Sequence, residues 1–213
     1  MRFSVFDLDK TLLSKNSSFE FCKYLYKKKI FSSSFFLKSI FYSIRYQYFG
    51  LTLEKLHHKV FQTLLHGFSF HILSDYVCSF VEKELEGLLY MPALERLKRA
   101  QHQGHFTMIL SNSPNFLVGA IAHRLQVDDW KASEYKVDKD WRLCQISRIL
   151  HGKDKALWVD KIRGQLGIPK QWVTAYSDSY LDLPFLRSAG VPVVVNPDSR
   201  LKKVSKECNW EEI

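Results

Sequence analysis

The sequence predicts an α/β fold: a Rossmann-like parallel sheet core carrying an all-α cap, a helical bundle inserted after the first strand. Three observations carry this. Arg2 to Phe6 is a short apolar run that reads as a buried opening strand. Residues 14–90 then show four helical patterns and no clear strand. From Met91 onward short apolar runs alternate with amphipathic helices, which implies a parallel sheet covered on both faces. The expected division is a core of residues 1–13 and 91–213 with a cap at 14–90.

Each element has its own signal. Ser17-Ser18-Phe19-Glu20 has the spacing of a capping box, with the helix running to Lys27-Lys28-Lys29. Leu37, Ile40, Phe41, Ile44 and Tyr48 recur at helical spacing, closed by Gly50. Thr52 caps a third helix with Leu53, Leu56, Val60 and Leu64 on one face. Leu73, Tyr76, Val77, Phe80 and Leu85 mark a fourth, ending at Gly87. Beyond it, Pro92 opens a helix ended by Gly104, and Phe106–Leu110 is a strand. Ser113 and Pro114 are expected to cap and open the next helix, striped by Val118, Ile121, Ala122 and Leu125. A hairpin between Ala132 and Ile149 turns near Asp138-Lys139-Asp140. A helix from Asp154 to Gln165, a strand from Trp172 to Tyr176, a helix through Phe185 to Ala189 and a strand from Val191 to Val195 complete the pattern.

The composition is globular: 213 residues, 46% hydrophobic, 15% aromatic, with 9 Gly and 6 Pro. A formal charge of +9 fits an anionic partner, and equally a need for solubility. Cys22, Cys78, Cys144 and Cys208 have no paired spacing, so neither a zinc site nor a disulfide framework is indicated and a cytoplasmic setting is expected. Asp7 and Asp9 stand where a secretion signal would need its apolar run, so none is expected. Lys38, Arg45, Gln47 and five serines interrupt Ile30–Phe49, the stretch nearest in character to a membrane span.

Four groups of residues carry chemistry. In Asp7-x-Asp9-x-Thr11 two carboxylates emerge together at the end of the first strand. Like charges so close repel, and hard carboxylate oxygens are what Mg²⁺ prefers. One carboxylate can attack a phosphate ester and a second can give and take the proton; alone, the spacing also fits a solvated acidic turn. Ser111-Asn112 follows an apolar strand at a helix start, where hydroxyl and backbone N–H groups cradle an anion; capping alone also explains it. Lys155, with Lys153 as competitor, lies in the first turn of a helix, a position unfavourable to the macrodipole unless an anion is near. Asp178-x-x-x-Asp182 follows another strand and can complete a magnesium site, or serve as turn and cap. All four fall at strand ends or helix starts on one side of one sheet, where ligands bind in such folds.

In these residues the chain resembles the haloacid dehalogenase superfamily of aspartyl-phosphate-forming hydrolases, and most of all its phosphoserine-phosphatase-like branch. The likeness rests on Asp7-Leu8-Asp9-Lys10-Thr11-Leu12, Ser111, Lys155, Tyr176–Pro184 and the later run Ala189–Asp198. It implies Asp7 as nucleophile and Asp9 as general acid/base. Mg²⁺ would be held by Asp7, the backbone carbonyl of Asp9 and Asp178, with Asp182 in support. Ser111, Asn112, Thr11 and Lys155 would serve the phosphoryl group. Ser177 and Tyr180 replace the Gly and Asn of many relatives. Asn16 stands where phosphoserine phosphatases carry a Glu that reads the substrate amine, so a small phosphorylated substrate other than phosphoserine is expected, with Asn16 and Glu20 as substrate-selecting candidates.

Nine basic residues against two acidic ones between Lys15 and Phe61 give that segment a net +7. With its many Phe and Tyr it would suit an anionic membrane surface or a lipid phosphate, and less well nucleic acid. A solvated basic face accounts for the same composition. The expected function is a Mg²⁺-dependent phosphatase, with a phosphotransferase using the same intermediate, or a non-catalytic phospholipid- or nucleic-acid-binding protein on this fold, as rivals.

Overall fold

The computed structural model describes residues 1–213 apart from the side chain of Gln47. β1 (Phe3–Phe6) is followed by a wide turn, Leu8–Leu12, and then by α1 (Ser17–Lys27), α2 (Ser33–Tyr48), α3 (Leu53–Val60) and α4 (Phe70–Glu84). The alternating part comprises α5 (Met91–His102), β2 (Phe106–Pro114), α6 (Asn115–Leu125), the hairpin β3 (Asp129–Val137) and β4 (Leu143–Arg148), and α7 (Gly152–Gln165). It ends with β5 (Val173–Ser177), α8 (Leu183–Ser188), β6 (Val191–Val194), α9 (Ser199–Glu207) and β7 (Glu211–Glu212). One seven-stranded sheet has the order β4-β3-β2-β1-β5-β6-β7, parallel throughout except for the β3–β4 pair.

Register is what assembles the site. Phe6 at the end of β1 lies opposite Ile109 of β2 and Tyr176 of β5. The residues just beyond, Asp7, Ser111 and Ser177-Asp178, therefore emerge side by side from three strands distant in sequence. Alternate side chains serve opposite faces, as a strand requires. Phe3 and Val5 pack with Met108, Leu110, Val159 and Phe185 on one side. Phe6 belongs to the other cluster, which is continuous with Phe21, Leu25, Phe61, Leu73 and Phe80 of the helical insert. Chain exit and return are stitched together by an antiparallel bridge between Leu13 and Leu89, with Ser14 N–H donating to Leu88 C=O at 2.7 Å and Tyr90 N–H to Leu12 C=O at 2.9 Å.

Several local expectations are corrected. The Ser17–Glu20 capping box does not form. Asn16 caps α1 by accepting the Phe19 N–H at 2.9 Å, because the Ser17 N–H is already committed to Asp9, and Glu20 pairs instead with Lys23 at 3.1 Å. Ser113 is no helix cap: β2 runs on to Pro114, and the Ser113 hydroxyl turns to Asp9. The stripe on α2 faces outward, with Leu37 64%, Phe41 55% and Tyr48 71% exposed. Its opposite side, around Phe36, Ser39 and Ser43, packs inward. α9 and β7 were not expected at all; their polar, short segments carry little periodicity.

Candidate active site

Asp7 is buried at the tip of β1, its N–H donating to Tyr176 C=O. Lys155, 1% exposed, donates from Nζ to Asp7 Oδ1 at 2.7 Å and to Asp182 Oδ2 at 2.6 Å. The Ser177 hydroxyl donates to the same Asp182 oxygen at 2.8 Å, and the Thr11 hydroxyl reaches Asp7 Oδ2 at 3.4 Å. Lys155 is thus the lysine at the site, and Lys153 lies exposed. Gly152 makes this possible: a Cβ there would sit 2.2 Å from the Leu181 carbonyl oxygen. Only a glycine lets the start of α7 press against the 181–182 loop, which sets Lys155 beside Asp182.

Asp9 faces the other way, toward the insert. Its carboxylate accepts the Ser17 N–H at 2.6 Å, the Ser113 hydroxyl at 2.6 Å and the Asn16 amide at 3.2 Å. Ser111 is fully buried, its Oγ accepting the Ser113 N–H at 3.1 Å. The Asp182 side chain makes no helix-capping bond; it is spent on Lys155 and Ser177. Glu20, bound to Lys23, makes no contact with these carboxylates. The 178–182 loop is held by Asp198, whose N–H donates to Asp178 C=O at 2.8 Å while its carboxylate accepts the Tyr180 N–H at 2.7 Å.

The electrostatics show a site short of positive charge. Burial raises the Asp7 carboxyl to about 7, Lys155 drawing it back and Asp182 adding to the rise. Burial likewise raises Asp178 to about 8, with Asp7 and Asp182 facing it. For Lys155 burial opposes the charge, but Asp182 and Asp7 outweigh it and hold the ammonium well above the ordinary lysine value. One buried ammonium does not keep three neighbouring carboxyls ionised, and an all-oxygen donor set fits a hard divalent cation that would. Among the described residues no three His, Cys, Asp or Glu side chains form a ready metal cluster.

Residues outside the sequence expectation also belong here. Ser113 and Ser17 orient Asp9, Asp198 shapes the loop, and Tyr46 of α2 lines the space between insert and core. Burial raises its phenol, with Asp178 and Asp182 contributing. Ser113 was masked by an equally good capping role; Tyr46 had no local signal.

This arrangement gathers carboxylates, a lysine and serines at the carboxyl ends of parallel strands, and comparison with known proteins gives the class to which the chain belongs. The haloacid dehalogenase-like hydrolase family model matches residues 4–187, and the chain belongs to that family. It is 25% identical over 207 residues, 96% of this chain and 72% of the relative, to a protein of Mycobacterium tuberculosis named a probable phosphatase. A protein of unknown function from Bordetella pertussis Tohama I has the same fold, with a TM-score of 0.87 at 20% identity over 100% of this chain and 98% of that one. A substrate-bound phosphoserine phosphatase superposes with a TM-score of 0.72 at 16% identity, covering 95% and 89% of the two chains.

Proposed function

We propose that the protein is a Mg²⁺-dependent phosphomonoesterase working through an aspartyl-phosphate on Asp7. The observation that carries this is the Asp7–Lys155–Asp182 network beside Ser111, with Asp9 held separately by Ser17 and Ser113. An Asp7 oxygen attacks phosphorus as the ester P–O bond breaks, and Asp9 gives its proton to the departing alkoxide. Asp9 then takes a proton from water, whose oxygen attacks the same phosphorus and frees Asp7. Lys155, Ser111 and the 112–113 backbone hold the phosphoryl oxygens; Thr11 and Asp182 position Asp7 and Lys155. Asp7, Asp178 and the Asp9 carbonyl would hold Mg²⁺, which supplies neutralising charge to the phosphoryl group. The folded protein should hydrolyse an aryl phosphate in the presence of Mg²⁺, and Asp7→Asn should lower the rate by at least about 10⁴-fold. Absence of metal-dependent turnover across a broad panel of phosphomonoesters overturns the assignment.

Residues 14–90 are proposed as the cap that selects the substrate, a division supported by the Leu13–Leu89 bridge at its neck. No described helix is long and apolar enough to cross a membrane. The outward face of α2 nonetheless favours an anionic lipid surface as partner. Leu37, Phe41, Ile44 and Tyr48 are exposed among Lys38, Arg45, Lys55 and Lys59, an apolar stripe flanked by cations as on a helix that lies at a membrane surface. Four free cysteines favour a cytoplasmic setting for this surface. Sedimentation with phosphatidylglycerol vesicles should show binding that weakens with salt and with Phe41→Ser; binding that is absent or indifferent to salt removes this partner.

A further inference from the structure

A cavity of about 470 Å³ lies between the insert and the core, within the range that holds a small ligand. Its lining includes Lys10, Asn16, Asn112 and Ser113. The cavity therefore reaches the Asp9 side of the site: Ser113 and Asn16 are the residues bound to that carboxylate. If phosphorus sits at Asp7 and Asp9 protonates the leaving oxygen, the remainder of the alcohol extends past these residues.

What it would meet beyond them is apolar. The buried Phe21, Leu25, Phe31, Leu64, Leu65 and Leu117 line the cavity. Several polar groups along it are already paired. Ser18 and Ser113 share a hydrogen bond at 2.8 Å, and the Ser39 and Ser43 hydroxyls donate to carbonyls of their own helix at 2.7 and 2.9 Å. His57 and Tyr135 meet at 2.8 Å, and burial holds the imidazole neutral at ordinary pH. Among the described residues no buried side-chain polar atom lacks a partner. The cavity's sole charged residue is Lys10, next to Asp9 in the chain. An ammonium and a carboxylate, as in an amino-acid phosphate, would be stripped of water there with no acidic partner for the amine. An aliphatic chain would lose nothing.

Resting on the phosphatase reading above, we propose that this cavity receives the apolar chain of the substrate, which is a phosphomonoester of a single long aliphatic alcohol or a chemically equivalent lipid. The test is calorimetric titration of the Mg²⁺-loaded protein with n-alkyl phosphonates from ethyl to decyl, which cannot be hydrolysed. Affinity should rise about fourfold per methylene, the gain from burying one CH₂, until the cavity is full. O-phosphoserine should bind no more tightly than ethyl phosphonate. Ser43→Trp, which fills the cavity from α2, should flatten the series; Leu56→Phe gives the same measurement should the first variant not fold. A flat series in the wild-type protein, or a steep one that survives filling of the cavity, overturns the proposal. A flat series with ethyl phosphonate still bound leaves the phosphatase reading standing. If neither inorganic phosphate nor any phosphonate binds, and no aryl phosphate is turned over, that reading falls as well.

Discussion

The floor of the site and the insert above it solve opposite problems with neighbouring residues. At the floor, charge is buried and held by specific partners: Lys155 touches two carboxylates, Ser177 supports one of them, and Thr11 reaches the other. In the insert the cavity walls avoid charge altogether, and the one deep histidine is kept neutral. A reacting phosphate needs fixed charges that do not reorganise, whereas an apolar group needs space free of them. The boundary between the two is Asp9, fixed by residues of both.

The largest effect that distinguishes the regions is expected at Lys155. Lys155→Met keeps most of the apolar stem but leaves Asp7 and Asp182 buried without their cation. Breaking such a pair costs roughly 3–5 kcal/mol in stability, and losing one phosphoryl-stabilising donor costs on the order of 10²–10³ in kcat. Denaturant unfolding together with single-turnover kinetics measures both. A variant of unchanged stability would show that the floor is not the rigid network its distances describe.

The insert makes the contrary prediction, in its response to acid. Burial, with His151 and His58 nearby, lowers His57 from 6.5 to about 4. A lowered value means that the unfolded chain takes up the proton first. The stability associated with the neutral imidazole is complete above pH 6.5 and is lost as the pH falls toward 4, by about 3 kcal/mol. Unfolding curves at pH 7, 5.5 and 4 should show this loss in the wild-type protein and not in His57→Gln. Equal losses in both would place the acid sensitivity in the carboxylate floor instead.

Much of the floor was legible because its chemistry is written locally. Asp7, Asp9 and Asp178 each follow an apolar run, and a parallel strand delivers its next residue to one edge of the sheet. Lys155 could be separated from Lys153 only by the fold, since both lie in the first turn of α7 and the choice depends on which one faces Asp182. Glu20 was misread because a capping box and an i,i+3 ion pair use the same spacing. The α2 stripe was readable as a helix but not as an exposed one: periodicity gives the face, and only tertiary packing decides what covers it. The cavity had no signature, because its walls come from α1, α2, α3 and the β2–α6 junction.

The smallest predicted effect lies on the boundary itself. Lys10 has φ +61° in the turn between Asp9 and Thr11, a left-handed conformation that costs a residue with a Cβ about 1 kcal/mol or more. It is also the cation in the cavity lining, and its charge works against the rise of the Asp178 carboxyl. Lys10→Gly relieves the backbone and removes the charge; Lys10→Gln removes the charge alone. If backbone strain dominates, the glycine variant melts about 2–4 °C higher than the glutamine variant. Comparing the Mg²⁺ concentration needed for half-maximal turnover then isolates the charge, since both variants lack it. With one positive neighbour fewer beside Asp178, both should need less Mg²⁺ than the wild type, by a factor of about two to three. A shift confined to the glycine variant would assign the effect to the turn's flexibility, and the strained lysine would then be a feature of geometry rather than of electrostatics.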